Sequence, residues 1–219
     1  MDGKKQSNER NRSNRVLYRT KQSTKILISI IGILIVLVFS AIMFLSGIKG
    51  EFVGYLSERY PDLSFEVGFT KIDPIYEKYY ALATCLDDGT SFPIVKSFNS
   101  KEIYDDYLQY KSRNQYNSKI QEVFSGSGIE SSIRSVTGGG KKPFETGAAY
   151  EQINIHLTND GEHLAVVKEA LALLAKNDIA AEKVIFTYEK DKHVYELWVS
   201  SEEYALTEEE LKEKVRNIK

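Results

Sequence analysis

The chain has 219 residues, 29 Lys and Arg against 31 Asp and Glu, a formal net charge of −2, 42% apolar side chains and one cysteine. Cys85 alone cannot form an intramolecular disulfide, so stability has to come from packing. Outside the first 25 residues there is no basic region, and nucleic acid is therefore not an expected partner.

Residues 1–25 carry Lys4, Lys5, Arg10, Arg12, Arg15, Arg19, Lys21 and Lys25 against only Asp2 and Glu9, a local charge of +6 that leaves −8 for the remainder. Rich in Asn, Ser, Gln and Arg, this tail is expected to be disordered, because it has too little apolar surface to bury. Ile26 to Ile48 then contains no charged side chain. At about 1.5 Å per residue the run reaches roughly 34 Å, enough to cross a hydrocarbon core of about 30 Å, so residues 26–48 read as a transmembrane helix in the lipid bilayer. The cations before it place the N-terminus in the cytoplasm and everything after Ile48 outside a cell membrane. A cleavable signal is the competing reading, but its apolar core would be shorter, and Phe44-Leu45-Ser46-Gly47-Ile48 is a poor small-residue cleavage site. The span is expected to stay as a single-pass signal anchor, and it carries no Gly-x-x-x-Gly helix-pairing motif.

Residues 49–125 predict a first extracytoplasmic unit of α-β-β-β-α order. Phe52, Val53, Leu56 and Tyr60 recur at helical spacing before Pro61, and Phe65, Val67 and Phe69 alternate as in a half-buried strand. Lys78 to Leu86 and Ser91 to Ser97 form a hairpin through Asp87-Asp88-Gly89-Thr90, with Pro93 marking the latter strand as an edge or a bulge. After an Asn99-Ser100 cap, residues 101–124 read as one amphipathic helix, and Ser125-Gly126-Ser127-Gly128 ends it.

Residues 126–219 predict a second unit of β-β-α-β-β-α order. A short strand at Ile133 to Thr137 leads into the loop Gly138-Gly139-Gly140-Lys141-Lys142-Pro143, expected to be a mobile hairpin tip. Tyr150 to Thr158 alternates apolar and polar, Asn159-Asp160-Gly161 turns into a helix with the stripe Leu164, Val167, Leu171, Leu174 and Ala175, and Val184 to Tyr188 pairs with Val194 to Val199. Thr207 and Glu210 match a capping box ahead of Leu211 and Val215. The fold class is α+β, two small sandwich units behind one N-terminal transmembrane helix.

The succession of basic tail, single span, Tyr55-Leu56-Ser57-Glu58-Arg59-Tyr60-Pro61, Phe65-Glu66-Val67, Asp87-Asp88-Gly89-Thr90-Ser91-Phe92 and Ile103-Tyr104-Asp105-Asp106-Tyr107 resembles the YfjL-like membrane proteins of Gram-positive bacteria. The resemblance covers residues 25–125, rests on structural motifs, and implies a bacterial cell-surface setting without supplying a mechanism.

Chemistry-bearing motifs mostly fail on inspection. Gly138-Gly139-Gly140-Lys141 lacks the Gly and the Ser or Thr that a phosphate-binding P-loop needs at Ser135 and Lys142. His156, His163 and His193 have no zinc-site spacing, and no Gly-x-Ser-x-Gly elbow accompanies them. Cys85, in the apolar run Tyr79 to Leu86, has no basic neighbour there to stabilise a thiolate. Asp105 and Asp106 face different directions on the expected helix, Glu208 to Glu210 suit a helix N-terminus, and Asp87-Asp88-Gly89 and Asn159-Asp160-Gly161-Glu162 lack the remaining ligands of a calcium loop. No catalytic, cofactor-binding or metal-binding residue is therefore assigned.

Tyr76, Tyr79, Tyr80, Tyr104, Tyr107, Tyr110 and Tyr116 concentrate in the first unit, either filling its faces or forming an aromatic surface. The sequence thus implies a noncatalytic, membrane-tethered module that binds an envelope protein, peptide or glycan. The alternative is an envelope hydrolase or metal-dependent enzyme, which requires His156 or His193 to meet a carboxylate in a pocket.

Overall fold

The computed structural model describes residues 3–144, 149–159 and 162–219, with side chains described from Leu27 onward. Asp160 and Gly161 of the expected turn, and the charged side chains of the tail, lie outside the described residues.

Helix α1 (Gly3–Arg59) runs unbroken through the tail, the apolar segment and the first amphipathic stretch. The tail backbone is thus helical rather than disordered. Lys, Arg and Gln are good helix formers, and extending an existing helix avoids the cost of nucleating a new one. From Leu27 the helix is long and apolar enough to cross a membrane, and none of its apolar window is buried. Only its last part enters a core: Ile48, Phe52 and Leu56, spaced four residues apart, are buried.

By its contacts the chain divides into one unit of residues 1–87 with 93–104, and another of residues 88–92 with 105–219. The boundary is not the simple cut at 125 expected from the Gly/Ser stretch.

Beyond α1 the sheet of the first unit contains β1 (Phe65–Val67), β2 (Lys71–Asp73), β3 (Lys78–Cys85), β4 (Ser91–Ser97) and β5 (Ile103–Asp105), in the order β1-β3-β4-β5, with β2 also pairing β3. Along β3, Ala81, Ala83 and Cys85 are buried while Leu82 between them is exposed, so one face packs inward together with Val67. The strand expected over Phe65 to Phe69 ends at Val67, which pairs with Ala83, and a second short strand begins at Lys71, which pairs with Tyr80, leaving Phe69 and Thr70 between two ladders. β4 has neighbours on both sides, so Pro93 does not mark an edge strand. β5 has three residues against seven in β4, so it spans only part of the length of that strand.

The helix expected from residue 101 begins six residues later, as α2 (Tyr107–Phe124). Residues 103–105 join the sheet instead. Asp105 Oδ1 then accepts the Tyr107 amide at 3.0 Å, supplying the first turn with an acceptor, and Ser100 Oγ serves only a local turn at Glu102. Helix α2, assigned from the sequence to the first unit, buries Tyr116, Ile120, Val123 and Phe124 in the core of the second.

That core lies under a five-stranded sheet of β6 (Ile133–Gly139), β7 (Tyr150–Leu157), β8 (Ala181–Lys190), β9 (His193–Val199) and β10 (Arg216–Asn217), in the order β10-β9-β8-β7-β6. β7 and β8 are parallel, joined through α3 (His163–Lys176), and the other pairs are antiparallel. Ile153, Ile155, Val184, Phe186, Leu197 and Val199 meet Val167, Ala170, Leu171 and Leu174 of α3. The apolar face of this layer stands at its predicted spacing; of the stripe predicted for α3, Val167, Leu171 and Leu174 are buried and Leu164 half-buried, while Ala175 is exposed and Ala170 is buried instead. The β8–β9 turn is tighter than expected: Asp191 and Lys192 alone connect the strands, both at positive φ, as in a two-residue hairpin whose twist matches the strands. The capping box forms ahead of α4 (Glu208–Glu213), where Thr207 Oγ1 accepts the Glu210 amide at 3.3 Å and Glu210 Oε2 accepts the Thr207 amide at 2.8 Å. β10, added after α4, has too few residues to show any sequence period.

Candidate functional site

The most structured polar constellation is built on the Asp87-Asp88-Gly89-Thr90 turn and the first two turns of α2. Gly89, at φ 71°, gives the turn its left-handed residue. It folds back so that Asp88 Oδ1 accepts the Thr90 amide at 2.9 Å. The other carboxylate oxygen accepts the Tyr107 hydroxyl at 2.8 Å and lies 3.2 Å from Lys111 Nζ. Lys111 Nζ also donates to Tyr107 Oη at 3.2 Å, and Asn114 Nδ2 reaches Thr90 Oγ1 at 3.5 Å. Tyr107, Lys111 and Asn114 share one helix face because they are spaced by four and three residues. The Tyr107 ring is fully buried beside Phe92, with centroids 5.3 Å apart, so only its hydroxyl end reaches the polar site.

Partial burial alone would raise the Asp88 pKa. The donors from the Thr90 backbone, the Tyr107 hydroxyl, the Thr90 side chain and Lys111 outweigh it and hold the carboxyl well below the usual carboxylate range. Around this ion pair opens a cleft of about 350 Å³, lined by Asp88, Thr90, Lys111, Asn114, Gln115, Ser118, Lys119, Glu122 and Phe144. Its volume is at the lower end of the range for small-ligand sites of roughly 300–1,000 Å³. Amides, hydroxyls and two ammonium groups face a single aromatic wall. Such a lining can hydrogen-bond a hydroxyl- or amide-rich ligand and pack one apolar edge against Phe144.

Phe144 is held in place by α2. Its amide donates to Ser112 Oγ at 2.7 Å, and its ring meets Tyr116 edge-on at 4.9 Å. The glycine run before it, expected to be loop throughout, begins inside a strand. Gly138 and Gly139 belong to β6, the Gly138 amide donates to Asn117 Oδ1 at 2.9 Å, and the Tyr116 hydroxyl donates to the Lys142 carbonyl at 3.3 Å. A β-carbon on Gly138 would fall 2.6 Å from the Tyr150 ring, and one on Gly140 would fall inside contact distance of Tyr116 Oη and Cζ. The glycines are bare backbone on which two buried tyrosines lie.

The residues weighed from the sequence are scattered. His163 is buried, its Nε2 3.1 Å from the Thr158 carbonyl and its ring stacked on Tyr188 at 4.2 Å; His193 Nδ1 lies 3.4 Å from Asn217 Nδ2; His156 is exposed on β7. Among the described residues, the side chain within hydrogen-bonding distance of the His193 ring is an amide rather than a carboxylate. Cys85 is buried with Sγ 4.0 Å from Asp87 Oδ2, and Asp87 Oδ2 accepts the Ser64 amide at 2.7 Å. Asp87 and Asp88 are thus surrounded by hydrogen-bond donors, the opposite of the oxygen cage calcium requires. Among the described residues, no three His, Cys, Asp or Glu side chains gather as a metal site would need.

The tyrosines divide. Tyr107 and Tyr116 are buried, Tyr79, Tyr80 and Tyr110 are half-buried, and Tyr76 and Tyr104 are exposed. Asp88, Tyr107 and Lys111 were missed as a site because the acid and the helix are 19 residues apart in sequence. The only available signal was the Tyr107/Lys111 spacing of four. No family model, curated protein or solved structure matches the chain.

Proposed function

We propose that this chain is a noncatalytic binding module tethered to the cell membrane by α1, with its basic N-terminal tail in the cytoplasm and its α+β units at the outer face. The observation that carries the reading is the helix itself: an unburied apolar segment that continues without a break into the folded part through Ile48, Phe52 and Leu56. A removable leader has no reason to supply core side chains, whereas a tether gains rigidity from doing so. The eight cations before the span, against a flank after it that offers Lys49 balanced by Glu51, support the orientation. On this reading the likeness to YfjL-like proteins is one of layout, a short tail, one span and a surface domain.

The cleft beside Asp88 is the proposed binding site, and its lining fits an envelope glycan or peptide presenting hydroxyl and amide groups. Asp88 supports a binding role over a catalytic one. A general base works best with a pKa near the operating pH, and the donors around Asp88 hold it far below.

Two measurements on the full chain in intact cells test the reading. A membrane-impermeant maleimide is expected to label Lys192→Cys and to leave Lys5→Cys unlabelled; the reverse pattern overturns the orientation. A photocrosslinking residue at Ser118 is expected to capture an envelope glycan or peptide, with capture lost in Lys111→Ala. Equal capture in both variants removes the cleft from the proposal.

A further inference from the structure

Large apolar side chains crowd the outside of the first unit in one short segment: Phe69 is 92% exposed, Ile75 84%, Tyr76 73% and Ile72 49%. Where this segment lies relative to α1 follows from two ring contacts. Tyr79, near the start of β3, sits 5.7 Å from Phe44 of α1. At the other end of β3, Cys85 pairs with Phe65, whose ring is 5.6 Å from Tyr60 at the far end of the helix. Phe44 to Tyr60 is roughly 24 Å of helix, and Tyr79 to Cys85 is roughly 20 Å of strand. The two therefore run side by side in the same direction, and the turn that precedes β3 projects past Phe44, toward the apolar part of α1.

Phe44 lies inside the uncharged run Ile26 to Ile48. Ile75 and Tyr76, three or four residues before Tyr79, extend the strand direction by up to about 10 Å more. Ile72 pairs with Tyr79 across the ladder and so shares its helix-facing side, where Phe98 lies against Tyr79 at 4.6 Å. The exposed apolar segment is thus continuous with the membrane-facing surface of the helix.

Resting on the membrane-tether reading, we propose that the tip of the β2–β3 hairpin, centred on Ile75 and Tyr76, is seated in the polar–apolar boundary of the phospholipid bilayer at the domain end of the span. The tip is built for that environment. Asp73 Oδ1 accepts both the Ile75 and the Tyr76 amides, at 3.2 and 3.1 Å, Pro74 has no N–H, and the Glu77 carbonyl accepts the Phe98 amide at 2.8 Å. The Ile75 and Tyr76 amides, which lipid could not satisfy, are thus satisfied by a side chain of the hairpin itself. Lys78 Nζ lies 5.0 Å over the Tyr76 ring, an aromatic and a cation at the depth where membrane proteins place both. Asp73 and Glu77 limit the depth to the boundary. Two contacts, helix and hairpin, would fix the tilt of the first unit on the surface, where a single helix would let it swing.

The test uses the full chain in phosphatidylcholine vesicles, with an environment-sensitive fluorophore on single introduced cysteines. Cys85 is fully buried, and the unsubstituted chain measures its background labelling. The sites are Ile75→Cys, Tyr76→Cys as a second tip position, Leu86→Cys at the opposite end of β3 and Ile35→Cys within the span. Tip labels are expected to lose emission to lipids carrying a nitroxide near the headgroup, as Ile35→Cys does to nitroxides deeper in the chain. Leu86→Cys is expected to respond only to aqueous iodide. If Ile35→Cys responds to lipid while both tip labels behave like Leu86→Cys, the hairpin proposal is wrong and the tether stands. If Ile35→Cys ignores lipid quenchers, the tether reading and the hairpin proposal fall together. Tip labels shielded from lipid and iodide alike would place protein on the hairpin and overturn the proposal.

Discussion

Replacing Gly138 by Ala sets two effects of opposite sign against each other. Gly138 has an ordinary strand backbone, and a Gly→Ala change at such a position stabilises by about 0.4–1 kcal/mol, because the unfolded chain has fewer states to lose. The new methyl, however, would fall 2.6 and 2.7 Å from two carbons of the Tyr150 ring. That is about 1 Å inside the roughly 3.5–4.0 Å optimum for carbon contacts. The ring has little room to yield: it is buried, packs against Tyr116 at 4.9 Å, and its hydroxyl donates to the Tyr116 carbonyl at 3.0 Å. Overpacking of this kind costs about 1–3 kcal/mol, and loss of the hydroxyl bond adds about 1. The net expectation is a destabilisation of about 1–3 kcal/mol. Gly139→Ala is the internal control, since a β-carbon there meets nothing within 4 Å; it should be neutral or stabilising by up to about 1 kcal/mol. Urea unfolding of the full chain in detergent, followed by tyrosine fluorescence, gives the midpoints, and the slope must be shared for the comparison to hold. If Gly138→Ala unfolds at or above the midpoint of the parent, the claim that Tyr150 lies on bare backbone is wrong.

Asp88→Asn should destabilise by about 1–2 kcal/mol near neutral pH, since it weakens hydrogen bonds to a charged group at a partly exposed site. The folded Asp88 carboxyl lies below its ordinary value of 3.8, so its contribution is present above that pH and is lost as pH falls. Urea midpoints measured from pH 7 downward should therefore converge for parent and Asp88→Asn in acid, and a constant offset would count against the network. Tyr204→Phe should be neutral or stabilising by up to about 1 kcal/mol, because the Tyr204 hydroxyl is buried with no partner among the described residues; a clear loss in thermal midpoint would mean that a partner exists. Burial pushes Tyr150 up to about 12, assisted by Tyr116 and Glu122, and burial alone pushes Tyr204 to about the same value. Both favour the neutral ring in the folded state, so the stability they confer is intact below pH 10 and drains away between there and about 12. Tyrosinate absorbance should rise together with loss of ellipticity in that window, and titration of all tyrosines below it with the fold intact would refute the assignment.

What could be read without coordinates was whatever repeats at short range. The apolar run Ile26 to Ile48, the alternation in Tyr150 to Leu157, the Thr207/Glu210 box and most of the α3 stripe, all but the exposed Ala175, each encode a local geometry in residues a few positions apart, and each stands where it was expected. The errors occur where long-range partners compete with local preference. Residues 103–105 have the composition of a helix start and become a strand because β4 offers a ladder edge. Helix α2 reads as the last element of the first unit, yet Tyr116, Ile120 and Phe124 find their apolar partners on the second sheet. Gly138 and Gly140 have the appearance of loop glycines until Tyr150 and Tyr116 are laid on them.

The sequence by itself determined that one helix can cross a membrane, which flank carries the cations and that the remainder is α+β, because charge, length and hydrophobic period are properties of contiguous residues. Only the tertiary structure decided that Asp88 meets Tyr107 and Lys111 in a cleft, and that Tyr79 of β3 packs against Phe44 of α1. Those placements depend on how the chain closes over tens of residues, and no local pattern specifies where two distant segments meet.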